Sequence, residues 1–222
     1  MNKINKVKAI VWDLDGTLYY SPRSAEVIKK AFVKILASRN NLSYNDSLKT
    51  FNNNTNVSWS KLVSRETGLS EFDVLMSLES MVDRTKYVEK DLDLVDMVSS
   101  LSNYRHLILT NAAEKNAKNV LKKLGFKKGD SFEKIFSVDN TKTFKPNLAA
   151  FKKVLSYTKL PPDEHMMVGD FINADILPAK KLGFVTCLVK SKSNEADFSL
   201  SSVHKIPRIF SFAGRFLNKI NF

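Results

Sequence analysis

Two aspartates two residues apart, Asp13 and Asp15, close a short apolar run at residues 7–12 and are followed by Gly16 and Thr17. Carboxylates held that close repel one another unless a proton or a cation separates their charges. A divalent metal does this, and Gly16 lets the backbone turn sharply and approach a ligand. A second segment, Thr110-Asn111-Ala112, follows the run at 106–109 and sets a hydroxyl beside backbone N–H groups, a donor cluster suited to phosphate oxygens. A third, Lys145-Pro146, places a cation at the start of a helical pattern. In the fourth, Asp170 and Asp175 stand just beyond the run at 164–168, one at the turn and one in the helix after it. Taken singly, Thr110-Asn111 is also a helix cap, Lys145 a surface lysine and Asp170 a turn residue. The acid pair Asp13/Asp15 is harder to explain structurally. The order of the four segments, each at the end of its own run, points to one site.

These residues meet only if the runs before them are strands lying side by side. Residues 7–12, 106–109 and 164–168 read as buried strands, with 135–138 and 184–189 as further candidates. Helical patterns lie between them: 113–124 ending at Gly125, a helix from Pro146 to about Tyr157, and 173–182 ending at Gly183. Strands alternating with helices predict an α/β fold, a doubly wound parallel sheet whose strand ends converge on one crevice. The stretch 20–98 breaks the alternation. It carries four or five helical patterns (25–38, 44–51, 58–66, 71–82 and 92–101) and no strand. It is therefore expected to be an inserted helical cap, 20–98, on a core made of 1–19 and 99–222.

Composition narrows the class without naming a partner. The 222 residues are 43% hydrophobic and 26% charged, the balance of an ordinary globular protein. No apolar stretch approaches the ~20 residues that span a bilayer. The Lys-rich N-terminus is interrupted by Asp13 and Asp15 and does not read as a signal peptide. A single cysteine, Cys187, excludes an internal disulfide. Together these predict a cytoplasmic location and no membrane partner. The net charge of +12 is concentrated in lysines between 101 and 160 and would steer any anion. A solvated surface accounts for it, and a nucleic-acid role is not expected. At the C-terminus, Ile206, Ile209, Phe210, Ala213, Phe216, Leu217 and Ile220 are spaced as on an amphipathic helix, expected to pack on its own domain. His106, His165 and His204 match no catalytic spacing and are expected at the surface or beside strands.

The four segments together resemble the four motifs of the haloacid dehalogenase superfamily, in order, from Val7 to about Val189. The helical stretch after the first strand is similar to the subfamily with a cap inserted there. The resemblance implies a Mg²⁺-dependent phosphatase acting on a small phosphorylated metabolite. Asp13 would be the nucleophile and Asp15 the general acid and base. Thr110, Asn111 and Lys145 would bind the phosphoryl group. Asp13, Asp15 (through its backbone carbonyl) and Asp170 would bind the metal, and Asp175 would orient Lys145 from behind. Dehalogenases of the superfamily lack the second acid, so Asp15 favours phosphoryl transfer. Within the capped group the chain is similar to pyrimidine 5′-nucleotidase-like and phosphoglycolate-phosphatase-like members, which leaves a nucleoside monophosphate open as substrate. A phosphomutase and a non-catalytic anion-binding protein on the same fold stay open as alternatives. Tyr19, Tyr20, Arg23 and the loop 52–59 are expected near the leaving group, though each also reads as a structural cap residue, and Phe171, which stands where the superfamily often has serine, is read as a contact to the substrate or the cap.

Overall fold

The computed structural model describes residues 3–211 apart from 55, 56, 128 and 130. Six strands run β1 (Ala9–Trp12), β2 (Arg105–Leu109), β3 (Lys134–Phe136), β4 (His165–Gly169), β5 (Val185–Val189) and β6 (Phe198–Leu200). They form one parallel sheet in the order β3-β2-β1-β4-β5-β6. The strand order reverses at β1. In sheets of this kind, ligands bind in the crevice outside the carboxyl ends at such a reversal. Trp12 is in register with Ile108 on one side and Val168 on the other, so Asp13, Thr110 and Asp170 emerge close to the same edge.

Alternation along the strands divides the interior. Ile10 and Trp12 point into one apolar cluster with Ile108, Val168, Cys187 and the helix α6 (Glu114–Leu124). Ala9 and Val11 point the other way, against Phe151 and Val154 of α8 (Leu148–Thr158) and Ala179 of α9 (Leu177–Leu182). With both faces covered, β1 is apolar at every position, as buried parallel strands are. Burial also pushes the Cys187 thiol up to about 12, so it behaves as a small core hydrophobe.

A third cluster belongs to the inserted helices α1 (Pro22–Asn40), α2 (Tyr44–Asn52), α3 (Trp59–Thr67) and α4 (Glu71–Met81). Phe32, Phe51 and Trp59 pack ring against ring within it. By contrast, α5 (Leu92–Ser99) buries Leu94, Met97 and Val98 in the first sheet cluster. The boundary expected at 98 therefore falls earlier on packing grounds, near Val82–Val88, because apolar spacing reveals a buried face but not its partner. Other differences are local. Helix α8 begins at Leu148 with Asn147 as its cap, because the Asn147 side chain takes the Ala149 N–H; Pro146 lies ahead of it. The short helix α7 (Val138–Thr141) and the edge strand β6 carry too few apolar residues to be read in advance. Ile206 and Ile209 are buried in the first sheet cluster, while Ala213, Phe216, Leu217 and Ile220 lie outside the described residues. No helix among the described residues is long and apolar enough to cross a membrane.

Two of the histidines are interior rather than superficial. His106 Nδ1 accepts from the Trp12 indole N–H at 3.0 Å, and its Nε2–H donates to the Leu101 carbonyl at 3.0 Å. His165 Nδ1–H donates to the Pro161 carbonyl at 2.9 Å and Nε2 pairs with Thr158 Oγ1 at 2.8 Å, with the ring stacked on Phe184. His204 is exposed and pairs with Asp91. Burial lowers the pKa of both His106 and His165. A histidine kept neutral in the fold takes its proton first in the unfolded chain, near pH 6.5. Its contribution is thus present above that pH and lost as the pH falls below it. Urea midpoints measured from pH 7.5 to 5.5 should therefore decline less steeply in His106→Asn than in the unmodified protein.

Candidate active site

Asp13 follows β1 and is almost fully buried, with the Lys145 ammonium donating to its Oδ1 at 2.6 Å. The same ammonium donates to Asp175 Oδ1 at 2.6 Å. Lys145 is therefore a buried cation clamped between two buried carboxylates. Burial alone would lower its pKa, but Asp13 and Asp175 outweigh it and raise it, so it stays charged. The lysine is placed by Asn111. That side chain accepts the Lys145 N–H at 2.8 Å and donates to the Lys145 carbonyl at 2.9 Å. Asn111 was expected as a phosphate ligand; its amide is instead committed at both ends to the Lys145 backbone. Thr110, fully buried, receives the Ala112 N–H on its hydroxyl at 3.1 Å.

Asp170 completes the acidic group. One carboxylate oxygen from each of Asp13, Asp170 and Asp175 lies within 4.8 Å of the others. Thr17 Oγ1 links two of them, at 2.9 Å from Asp13 Oδ2 and 3.5 Å from Asp170 Oδ1. Burial pushes the Asp13 carboxyl up to about 6, against the pull of Lys145 and with Asp175 and Asp15 adding to the rise. Burial and the Asp13 charge push Asp170 up to about 6 as well. One lysine thus leaves the cluster short of positive charge, and a hard divalent cation fits it. Asp175 is the least available ligand of the three. Its Oδ1 is held by Lys145 and its Oδ2 accepts the Phe171 N–H at 3.0 Å. Asp170 is the most open of the three, Asp13 is engaged by Lys145 and by the Thr17 hydroxyl, and the Asp15 side chain lies outside the group.

Two glycines make this packing possible. A Cβ on Gly16, whose φ is +90°, would lie 2.3 Å from Asp170 Oδ2, and one on Gly169 would lie 2.4 Å from the Asp175 carboxyl.

Asp15 has a surrounding that its neighbours in sequence did not announce. Tyr19 donates its hydroxyl to Asp15 Oδ1 in a short hydrogen bond, and Arg84 Nε stands 3.1 Å from the same oxygen. Oδ2 has no partner among the described residues, so the carboxyl is oriented with one oxygen open. Arg84, in the helical turn Arg84–Tyr87, is itself buried and forms a close ion pair with Glu79 of α4. Glu79 then accepts the Ala113 N–H at 2.6 Å and the Asn116 amide at 2.9 Å. The N-cap of helix α6 is Ala113, whose side chain cannot cap it, and Glu79 and Asp139 supply carboxylates to the first N–H groups instead. A continuous chain of contacts thus runs from Asp15 through the inserted helices to the segment after Thr110. Glu79 lay in a helical pattern and Arg84 just beyond it, neither within a motif, so sequence reading had no signal for them. Of the other residues expected near the leaving group or the cap, Tyr20 and Phe171 are exposed and Arg23 stands in the first turn of α1.

Residues 7–183 match the family model described as "Hydrolase: haloacid dehalogenase-like hydrolase". A glyceraldehyde 3-phosphate phosphatase of Methanocaldococcus jannaschii is 23% identical, over 90% of this chain and 95% of the relative. The enzyme of the same name from Methanothermobacter thermautotrophicus is 24% identical, over 86% and 89%. Among solved structures, a predicted phosphoglycolate phosphatase from Haemophilus somnus superposes with a TM-score of 0.62 at 19% identity, covering 92% of this chain and 98% of that one.

The geometry predicts two outcomes. Gly16→Ala, by displacing Asp170, should weaken Mg²⁺ affinity roughly 10- to 100-fold in a calorimetric titration. Arg84→Met should destabilise the protein by about 3–5 kcal/mol in urea unfolding, because it strands Glu79 in the interior. Adding Glu79→Gln to Arg84→Met should recover part of that loss.

Proposed function

Since the chain belongs to the haloacid dehalogenase-like hydrolases, we propose that it is a Mg²⁺-dependent phosphatase of small phosphate monoesters, working through an aspartyl-phosphate on Asp13. The observation that carries the reading is Lys145 held between Asp13 and Asp175 beside Asp170. A structural ion pair has no use for a third carboxylate in contact with the first two, whereas phosphoryl transfer does. It needs a nucleophile, a fixed cation and a metal site within one crevice.

Asp13 Oδ2, oriented by Thr17, attacks phosphorus as the bond from phosphorus to the ester oxygen breaks. Asp15, steadied by Arg84 and Tyr19, gives its proton to the departing oxygen. It then takes a proton from water, whose oxygen attacks phosphorus and releases Asp13 as the free carboxylate. The products are an alcohol and inorganic phosphate. Lys145 offsets the charge that grows on the phosphoryl oxygens, and the Thr110 hydroxyl with the Asn111 N–H donates to them. Asp13 and Asp170, with the Asp15 backbone carbonyl, would hold Mg²⁺, which when bound shields the dianionic phosphate from the attacking carboxylate. The helices α1–α4 act as the cap over this crevice.

The names of the relatives make three-carbon and two-carbon phosphates the first candidates for the substrate, with nucleoside monophosphates next. The buried single cysteine accords with a reducing cytoplasm as the place of action. A phosphate-release screen over such esters with Mg²⁺ should give stoichiometric inorganic phosphate, abolished by chelator. Asp13→Asn should lower turnover by at least ~10⁴-fold while the circular dichroism spectrum is retained; full activity in this variant would remove the nucleophile from the scheme. Transfer of the phosphoryl group to a second hydroxyl without free phosphate would identify a mutase instead.

A further inference from the structure

Lys190 follows the last residue of β5 and reaches the carboxyl edge of the sheet beside the acidic group. Its φ of +67° is in the left-handed region, unusual for a side chain of this kind, and its N–H is tied to the Leu200 carbonyl at 2.8 Å. The backbone is thus pinned in a conformation that aims the side chain. The ammonium stands 4.5 Å from the centroid of the Tyr20 ring, a cation–π seat. Tyr20 is itself 64% exposed and lies on the connection from the Asp13 loop into α1. Phe171, next to Asp170, is exposed on the same edge.

The charges that act on Lys190 are Asp170 and Asp13, yet it forms an ion pair with neither, nor with any other carboxylate among the described residues. Of these two, Asp13 is held by Lys145 and Thr17, and Asp170 has the Thr17 hydroxyl at 3.5 Å. Lys190 is exposed at this edge, so its charge, seated on the Tyr20 face, is open to a ligand on the outer side of the crevice. The phosphoryl group already has Lys145. A second cation on the outer side of the crevice, where the leaving group must lie, is matched by a second anion on the substrate.

We propose that Lys190 and Tyr20 form the subsite for the leaving group, and that the preferred substrates are small phosphate monoesters carrying a second oxyanion, either carboxylate or phosphate. This rests on the phosphatase reading above. It is tested by kcat/KM for 2-phosphoglycolate and 3-phosphoglycerate (carboxylate) and fructose 1,6-bisphosphate (second phosphate). The singly charged references are glycerol 3-phosphate and fructose 6-phosphate. The unmodified protein should favour the doubly charged member of at least one pairing by tenfold or more. Lys190→Met should reduce that preference by roughly 10- to 100-fold, mainly through KM. Lys190→Arg should keep most of it, and Tyr20→Leu, which removes the aromatic seat but not the charge, should fall between. Which pairing responds tells carboxylate from phosphate. Equal efficiency on charged and neutral leaving groups, or an equal drop for all esters in Lys190→Met, overturns this inference and leaves the phosphatase reading standing. No phosphate release from any ester overturns both.

Discussion

Everything at the carboxyl edge of the sheet answers to one electrostatic constraint, the crowding of buried carboxylates around Lys145. Asp13, Asp170 and Asp175 share a space in which like charges out of water repel strongly. A single ammonium between two of them offsets part of that repulsion. Burial, with the remaining repulsion added to it, makes Asp13 and Asp170 hold protons more tightly than ordinary aspartates and suits the site to a divalent ion. The surrounding details serve the same end. Asn111 grips the lysine's backbone from both sides. Gly16 and Gly169 lack the Cβ that would push the carboxylates apart.

A second ionic chain couples the site to the inserted helices. Arg84 touches Asp15 and Glu79, and Glu79 caps helix α6 just beyond Thr110. Buried ion pairs of this kind contribute little net stability compared with apolar packing, but losing one partner is costly. The position of α4 is thereby tied to the orientation of the acid. The inserted helices thus take part in arranging the site. Lys190 and Tyr20 at the outer rim extend the same logic from the reacting phosphate to the rest of the substrate.

Much of this could be read before any coordinates. Five of the six strands and the main helices follow from apolar runs and their punctuation. Asp13, Asp15, Thr110 and Asp170 stand out because each is a polar residue at the end of such a run, while Lys145 stands out at the start of a helical pattern and Asp175 in the helix after Asp170. The parallel sheet then carries them to one edge. What went unread has physical reasons. Strand β6 is three residues long and half-buried, and it owes its pairing to β5. Helix α5 has the same apolar spacing as the cap helices, and only its neighbours reveal that it belongs with the sheet. His106 and His165 match no pattern in the sequence that marks them as interior, and only the folded chain shows their ring nitrogens paired with Trp12, Leu101, Pro161 and Thr158.

The amino-acid sequence by itself thus determined the fold class and the chemistry at each strand end, since both depend on residue type at short range. Hydrophobic period sets the strand or helix, and a carboxylate keeps its character wherever the chain puts it. Only the tertiary structure decided which groups share a charge. Arg84 is 69 positions from Asp15, and Lys190 is 170 from Tyr20. Interactions between such groups depend on distance in space and on burial, and neither is written in the local pattern. That is why Asn111 proved to serve the lysine's backbone, and why the arginine beside the acid went unseen until the chain was folded.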